Sequence, residues 1–184
     1  MAKRAIIVID MLNDFITGDL RCARAERIIP PLEELIKTAR ANDVPIIYAN
    51  DAHLEAVDGE LKLWGSHAMA GSKGAKVIPQ LAPVNGDYVI EKRRYSAFFQ
   101  TGLKLLLDEL QVDTLVLTGL QAHICLCHTA ADAFYWNYKI EIPQDGTEAF
   151  DDDCYRLAFR WLKDMYGIEP VTVEETISEI EKKV

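Results

Sequence analysis

The sequence predicts a three-layer α/β/α fold built on a mostly parallel sheet of roughly six strands. Short apolar runs rich in branched residues alternate along the chain with longer stretches of helical periodicity. That alternation requires right-handed crossovers, which cover both faces of a sheet with helices. Three of the runs also lead directly into Asp10, Lys92 and the turn before Cys125. In an open α/β sheet that carboxyl edge is where ligands bind.

The elements follow in order. Residues 5–9 form a first strand running into Asp10. Residues 25–42 place Ile28, Ile29, Leu32, Leu35, Ile36 and Ala39 on one helical face. Residues 45–49 and 88–90 are the next strands, and Leu103, Leu106, Leu107 and Leu110 repeat the helical spacing before a buried strand at 114–118. That strand ends at Gly119, and 124–135 reads as a helix. Strands at 139–142 and 170–173 complete the six. Thr172-Val173-Glu174-Glu175 has the form of a capping box opening a last helix, with Lys182 and Lys183 where the dipole favours cations. No internal repeat, low-complexity tract or linker divides residues 1–184, so a single domain is expected.

Composition sets outer bounds. Hydrophobic residues make up 49% and charged residues 27%, ordinary for a soluble globular protein. A net charge of −9 argues against a nucleic-acid surface, leaving Lys92-Arg93-Arg94 as a local basic patch. No segment approaches the roughly 18 apolar residues of a membrane span. Met1-Ala2-Lys3-Arg4 leads straight into the first strand without the apolar stretch of a secretory signal. A cytoplasmic location is therefore expected, with Cys22, Cys125, Cys127 and Cys154 as free thiols.

Cys125 carries the sharpest chemical signal. A thiol on the first turn of a helix sits at the positive end of the macrodipole, which favours thiolate. The bland alternative is a buried, inert cysteine on an apolar helix. Asp10 and Lys92 weigh against it: a nucleophilic thiol needs a base for its proton and a cation for its charge, and neighbouring strands would bring both to one edge. His128, three residues beyond Cys125, is a weaker candidate base, because nothing in the sequence orients its imidazole.

A second constellation lies in the aperiodic stretch 50–72, where Asp51-Ala52-His53 is followed by Trp64-Gly65-Ser66-His67. One carboxylate and two imidazoles could hold zinc or another first-row metal, or the histidines could simply hydrogen-bond within a loop. The cluster His123, Cys125, Cys127 and His128 does not suit structural zinc. Cys-x-Cys on one helix points its thiols to different faces.

Three ordered motifs now carry a resemblance that covers nearly the whole chain: Asp10 in Asp-x-x-x-Asp14-Phe15, Lys92 before Tyr95-Ser96-Ala97-Phe98, and Thr118-Gly119 leading to Cys125. The chain resembles the isochorismatase-like cysteine hydrolases, the superfamily containing nicotinamidases, N-carbamoylsarcosine amidases and isochorismatases. The resemblance implies a catalytic triad of Asp10, Lys92 and Cys125. It implies an oxyanion hole from the backbone amides of Gln121 and Cys125, with a cis peptide at Leu120–Gln121. It also implies one divalent metal ion, zinc by expectation, on Asp51, His53 and His67, and a pocket lined by Phe15, Trp64 and Tyr95. No organic cofactor is expected.

The expected reaction is ammonia release from a small carboxamide, nicotinamide first, through a thioester on Cys125. The alternatives are N-carbamoylsarcosine amidase or a related ureido or carbamoyl amidase, and, from another class, a catalytically silent binding protein. Two departures bear on this. Ala122 stands where the family often has threonine, which in N-carbamoylsarcosine amidases helps hold the substrate carboxylate. Val57 and Asp58 occupy the region where many nicotinamidases have a further metal-ligating histidine. The expected partners are a small-molecule amide and further copies of the chain (a dimer or tetramer), with no nucleic acid and no membrane.

Overall fold

The protein's computed structural model describes residues 3–182. The expected lead of Met1 and Ala2 into the first strand, and the dipole contact of Lys183, lie outside the described residues. Five strands pair in the order β3-β2-β1-β4-β5, and every pairing is parallel. They are β1 (Arg4–Ile9), β2 (Ile46–Asp51), β3 (Tyr88–Lys92), β4 (Thr114–Gly119) and β5 (Lys139–Glu141). The helices are α1 (Asn13–Ile16), α2 (Ile29–Ala41), α3 (Leu61–Trp64), α4 (Leu103–Glu109), α5 (Cys127–Tyr135), α6 (Asp152–Tyr166) and α7 (Val173–Glu181).

Alternation along β1 divides the core. Ile6 and Val8 face Leu32, Leu35 and Ile36 of α2 and Ile180 of α7, whereas Ala5, Ile7 and Ile9 face Leu103, Leu107, Ala130, Ala158 and Leu162. A strand buried on both sides has to be continuously apolar, which is why β1 and β4 were legible as runs rather than as alternating patterns.

Three expectations change. The sixth strand, at 170–173, shrinks to a single parallel bridge between Pro143 and Val171. Pro170 has no N–H to give a ladder, and Thr172 turns at once to cap α7, accepting from the Glu175 N–H while the Glu175 carboxylate accepts from the Thr172 N–H. The helix expected over 25–42 opens as a 3-10 turn at Ala25–Ile28, and α-geometry begins only at Ile29. Pro30 and Pro31 fall in the first turn, where a missing N–H costs nothing, but they cannot extend the turn before them as α-helix. The third change is α6, at 15 residues the longest helix described and one the periodicity did not reveal. Only Ala158 and Leu162 of it are buried, so its apolar stripe is faint. Its ends were marked: the Asp151 carboxylate accepts from the Cys154 N–H, and Gly167 takes the left-handed C-cap at φ 66°.

Among the described residues, no helix is long and apolar enough to cross a membrane.

Candidate active site

The carboxyl ends of β1, β3 and β4 deliver three functional groups to one point. Asp10 follows the last residue of β1 and has φ 54°, a left-handed conformation uncommon for a non-glycine residue. Its Oδ1 accepts from the Asp51 N–H at 2.8 Å, and its Oδ2 lies 2.8 Å from Lys92 Nζ. Lys92 is the last residue of β3 and is 1% exposed. Its ammonium has three hydrogens and three partners: Asp10, Asp51 Oδ1 at 2.5 Å and Cys125 Sγ at 3.5 Å. Sequence reading placed Asp51 with the metal ligands alone. The structure makes it a bridge, with Oδ1 on Lys92 and Oδ2 3.7 Å from His53 Nε2.

Gly119 makes the approach of β4 possible. Its φ is 97°, and a Cβ there would lie 2.1 Å from the Ile9 carbonyl oxygen. The Leu120–Gln121 peptide that follows is cis. The chain then forms a π-helical turn, Ala122–Leu126, before α5 begins at Cys127. The Ala122, Ile124 and Leu126 amides donate to the Glu148 and Gln121 carbonyls, whereas among the described residues the Gln121 amide has no backbone acceptor outside helices and strands. Thr129 accepts from the Ala97 N–H and donates to the Cys125 carbonyl, tying the loop after β3 to this turn.

The expectation of a thiolate favoured by a helix N-terminus is corrected here. Cys125 lies in the π turn rather than the first turn of α5, and it is buried. Burial, with the charges of Asp10 and Asp51, pushes its thiol well above the usual range despite Lys92. Those influences favour the protonated thiol, beside the Asp10 carboxyl. Burial and the Asp51 charge raise Asp10 to about 6, against the pull of Lys92. For Lys92, burial opposes the charge, but Asp10, Asp51 and Cys125 outweigh it and hold the ammonium well above its ordinary value.

Next to Asp10, Lys92 and Cys125, Asp51, His53, His67 and Glu60 each offer a ligand atom within 4.8 Å of the others. Glu60 was missed in the sequence, because a glutamate four residues before Trp64 in an aperiodic loop looks like any solvated carboxylate. Burial and the Asp51 charge raise it to about 7. His67 Nδ1 donates to the Gly65 carbonyl at 2.9 Å, which leaves Nε2 with its lone pair free. His53 is fully buried with neither ring nitrogen hydrogen-bonded. A buried carboxylate and a half-buried one, with two buried imidazoles of which His53 has no hydrogen-bond partner, fit a divalent cation of the zinc type.

A pocket lies over both groups. Phe15, Trp64 and Tyr95 line it as expected, and Leu20, Ile124 and Phe150 join them. Trp64 Nε1 donates to Tyr95 Oη at 3.1 Å, and the Phe15 ring lies 5.6 Å from that of His67. Asp14, from the same block as Phe15, accepts from the Ala68 N–H at 2.8 Å and so holds the His67 loop. The cluster after Gly119 is dispersed. The Cys127 thiol is pushed up to about 12 by burial, and His123 packs its ring edge-on against Phe150. His128 is exposed, with Nδ1 donating to the Ile124 carbonyl.

Residues 4–175 match the isochorismatase domain family. An isochorismatase family protein of Bacillus subtilis, YaaI, is 34% identical over 97% of this chain and 98% of its own. The crystal structure of N-carbamoylsarcosine amidase from Thermoplasma acidophilum superposes with a TM-score of 0.87 at 39% identity, covering 94% of this chain and 97% of that one. That of nicotinamidase PncA from Bacillus subtilis gives 0.87 at 31%, covering 92% and 99%. With the same sheet, the match along nearly the whole chain and the converging strand ends all agreeing, the chain belongs to the isochorismatase family and is one of its hydrolases.

Proposed function

We propose that the protein is a cysteine amidohydrolase that releases ammonia from a small planar carboxamide, with nicotinamide as its substrate. One observation carries the reading: Lys92 Nζ joins the Asp10 carboxylate, the Cys125 thiol and the Asp51 carboxylate within a single buried contact set. Asp10 takes the thiol proton as Sγ adds to the amide carbonyl, and the amides of Gln121 and Cys125 receive the developing oxyanion. Collapse breaks the C–N bond as Asp10 passes the proton to the departing nitrogen. Asp10 then removes a proton from water attacking the thioester, and the C–S bond breaks as the thiol recovers that proton. Lys92 keeps Asp10 oriented and balances charge throughout.

Asp51, His53, Glu60 and His67 would hold a divalent ion, which when bound anchors a substrate lone pair. The aromatic walls of Phe15, Trp64 and Tyr95 orient a flat substrate against Cys125. The runner-up is a carbamoyl or ureido amidase, favoured by the similarity to N-carbamoylsarcosine amidase. An ammonia-release assay over nicotinamide, pyrazinamide and N-carbamoyl amino acids, with and without added zinc, decides. Turnover of the carbamoyl acids alone, indifferent to chelation, would overturn the nicotinamide reading.

Two predictions arise here. The acid limb of the kcat/KM profile should fall with an apparent pKa of about 6, the value of the ionised base Asp10. A limb below pH 4 would show that another base is used. His67→Ala should raise KM by about tenfold or more through lost metal and lost contact with Phe15. Alkylation of Cys125 by a small uncharged reagent should proceed at the wild-type rate, because Asp10 and Lys92 are untouched. Parallel loss of both would merge the two subsites into one.

A further inference from the structure

Asp58 is buried, its side chain 0% exposed, in a loop that is otherwise mostly on the surface. Such a carboxylate needs several partners to be tolerated. It has four. Arg93 reaches it in a two-pronged contact, with Nε 3.1 Å from each oxygen and Nη2 2.5 Å from Oδ1. Arg94 Nη1 donates to Oδ1 at 3.0 Å, and the Leu54 N–H donates to Oδ2 at 2.7 Å. The fourth neighbour is His53, whose Nδ1 lies 3.4 Å from Oδ2. The opposite nitrogen, Nε2, is on the side of Asp51.

We propose that Asp58, clamped by Arg93 and Arg94, is a positioning residue that keeps the Nδ1–H tautomer of His53 and so presents the Nε2 lone pair to Asp51, Glu60 and His67. This rests on the metal reading above and extends it. A neutral imidazole carries one hydrogen; Asp58 stands nearer to Nδ1 (3.4 Å) than Asp51 stands to Nε2 (3.7 Å), and the other Asp51 oxygen is already taken by Lys92. With Nδ1 facing Asp58 at 3.4 Å and carrying the hydrogen, the lone pair that His53 offers is at Nε2, toward the other ligands. The present 3.4 Å contact is longer than a full hydrogen bond. The position that lacks a ligating histidine is thus occupied by a group that orients the histidine already there.

The run Lys92-Arg93-Arg94 gains a purpose from this. Lys92 turns inward to the nucleophile, while the next two cations turn to the loop bearing Asp58. One strand end therefore sets both subsites, and the local basic patch is spent on an internal contact.

Long-range ¹⁵N–¹H spectra of the metal-free protein, with zinc binding measured against a chromophoric chelator, test the assignment. Wild-type His53 should be in the Nδ1–H tautomer. In Asp58→Asn it should shift toward Nε2–H, with zinc affinity reduced 10- to 100-fold and Cys125 alkylation unchanged. Arg93→Gln, altering a residue that is largely at the surface, should give a smaller loss of the same sign and serves if Asp58→Asn does not fold. An unchanged tautomer and unchanged zinc affinity in the variant that folds would overturn the proposal. If wild type bound no zinc yet showed the tautomer shift, the positioning role would stand and the metal reading would fall.

Discussion

Cys125→Ala should abolish ammonia release, leaving less than about one part in a thousand of the wild-type rate, while the protein keeps its melting temperature to within a few degrees. The mechanism has no second nucleophile to fall back on. The Cys127 thiol belongs to the apolar layer between the sheet and α5, and His128 is exposed with its Nδ1 committed to a backbone carbonyl. On the stability side, the change removes one sulfur from the floor of an existing pocket. The cavity penalty is small compared with a truncation in the packed core. It also relieves Asp10 of a neighbour whose deprotonation it would otherwise contest. Ammonia release and a thermal melt on the same sample check both halves. Residual turnover of several per cent would remove Cys125 from the chemistry, and a collapse in melting temperature would make it structural.

The fold was readable to the extent that single elements carried their own signals. β1 and β4 are apolar on both faces because helices cover both, so the burial that makes them central also makes them visible in the sequence. The 170–173 segment has the right residue types, but pairing depends on a free N–H and a straight continuation, and Pro170 and the cap at Thr172 supply neither. α6 had readable ends and an unreadable middle, because its buried stripe is only two fully buried residues wide.

The site shows the same division. The convergence of Asp10, Lys92 and Cys125 was legible because each lies at or shortly after the carboxyl end of a strand, and those ends converge by topology. Glu60 and Asp58 were not, because a loop carboxylate acquires meaning only from what burial places beside it. The thiol's protonation state was misread for a related reason: a helix dipole is a local sequence inference, whereas desolvation by the pocket and two carboxylates is tertiary. Here the tertiary terms win.

Lys92→Met should cost both catalysis and stability, and the sign of its pH dependence separates the two causes. In the wild type Lys92 is the buried cation between Asp10 and Asp51. Methionine has nearly the same length and packs in the same channel, so the loss is of charge rather than volume. Two buried carboxylates would then face each other uncompensated, and breaking such a set by removing one partner costs about 3–5 kcal/mol. Without the ammonium, the carboxyl pKa values rise in the folded state above their unfolded values. A group shifted up in this way contributes stability below its unfolded pKa and loses it as pH rises through the folded value. Asp10 already behaves so, raised to about 6 from an ordinary carboxylate value. The deficit of Lys92→Met relative to wild type should therefore be least near pH 4 and should widen through pH 6 and beyond. The Cys125 thiol loses the cation that offsets its burial, so its alkylation profile should move to higher pH and hydrolysis should fall by two orders of magnitude or more. Denaturant melts at pH 4.5 and 7.5, with alkylation rates across pH, supply the measurements. A deficit equal at the two pH values would assign Lys92 a packing role, and an unmoved alkylation profile would detach it from the nucleophile.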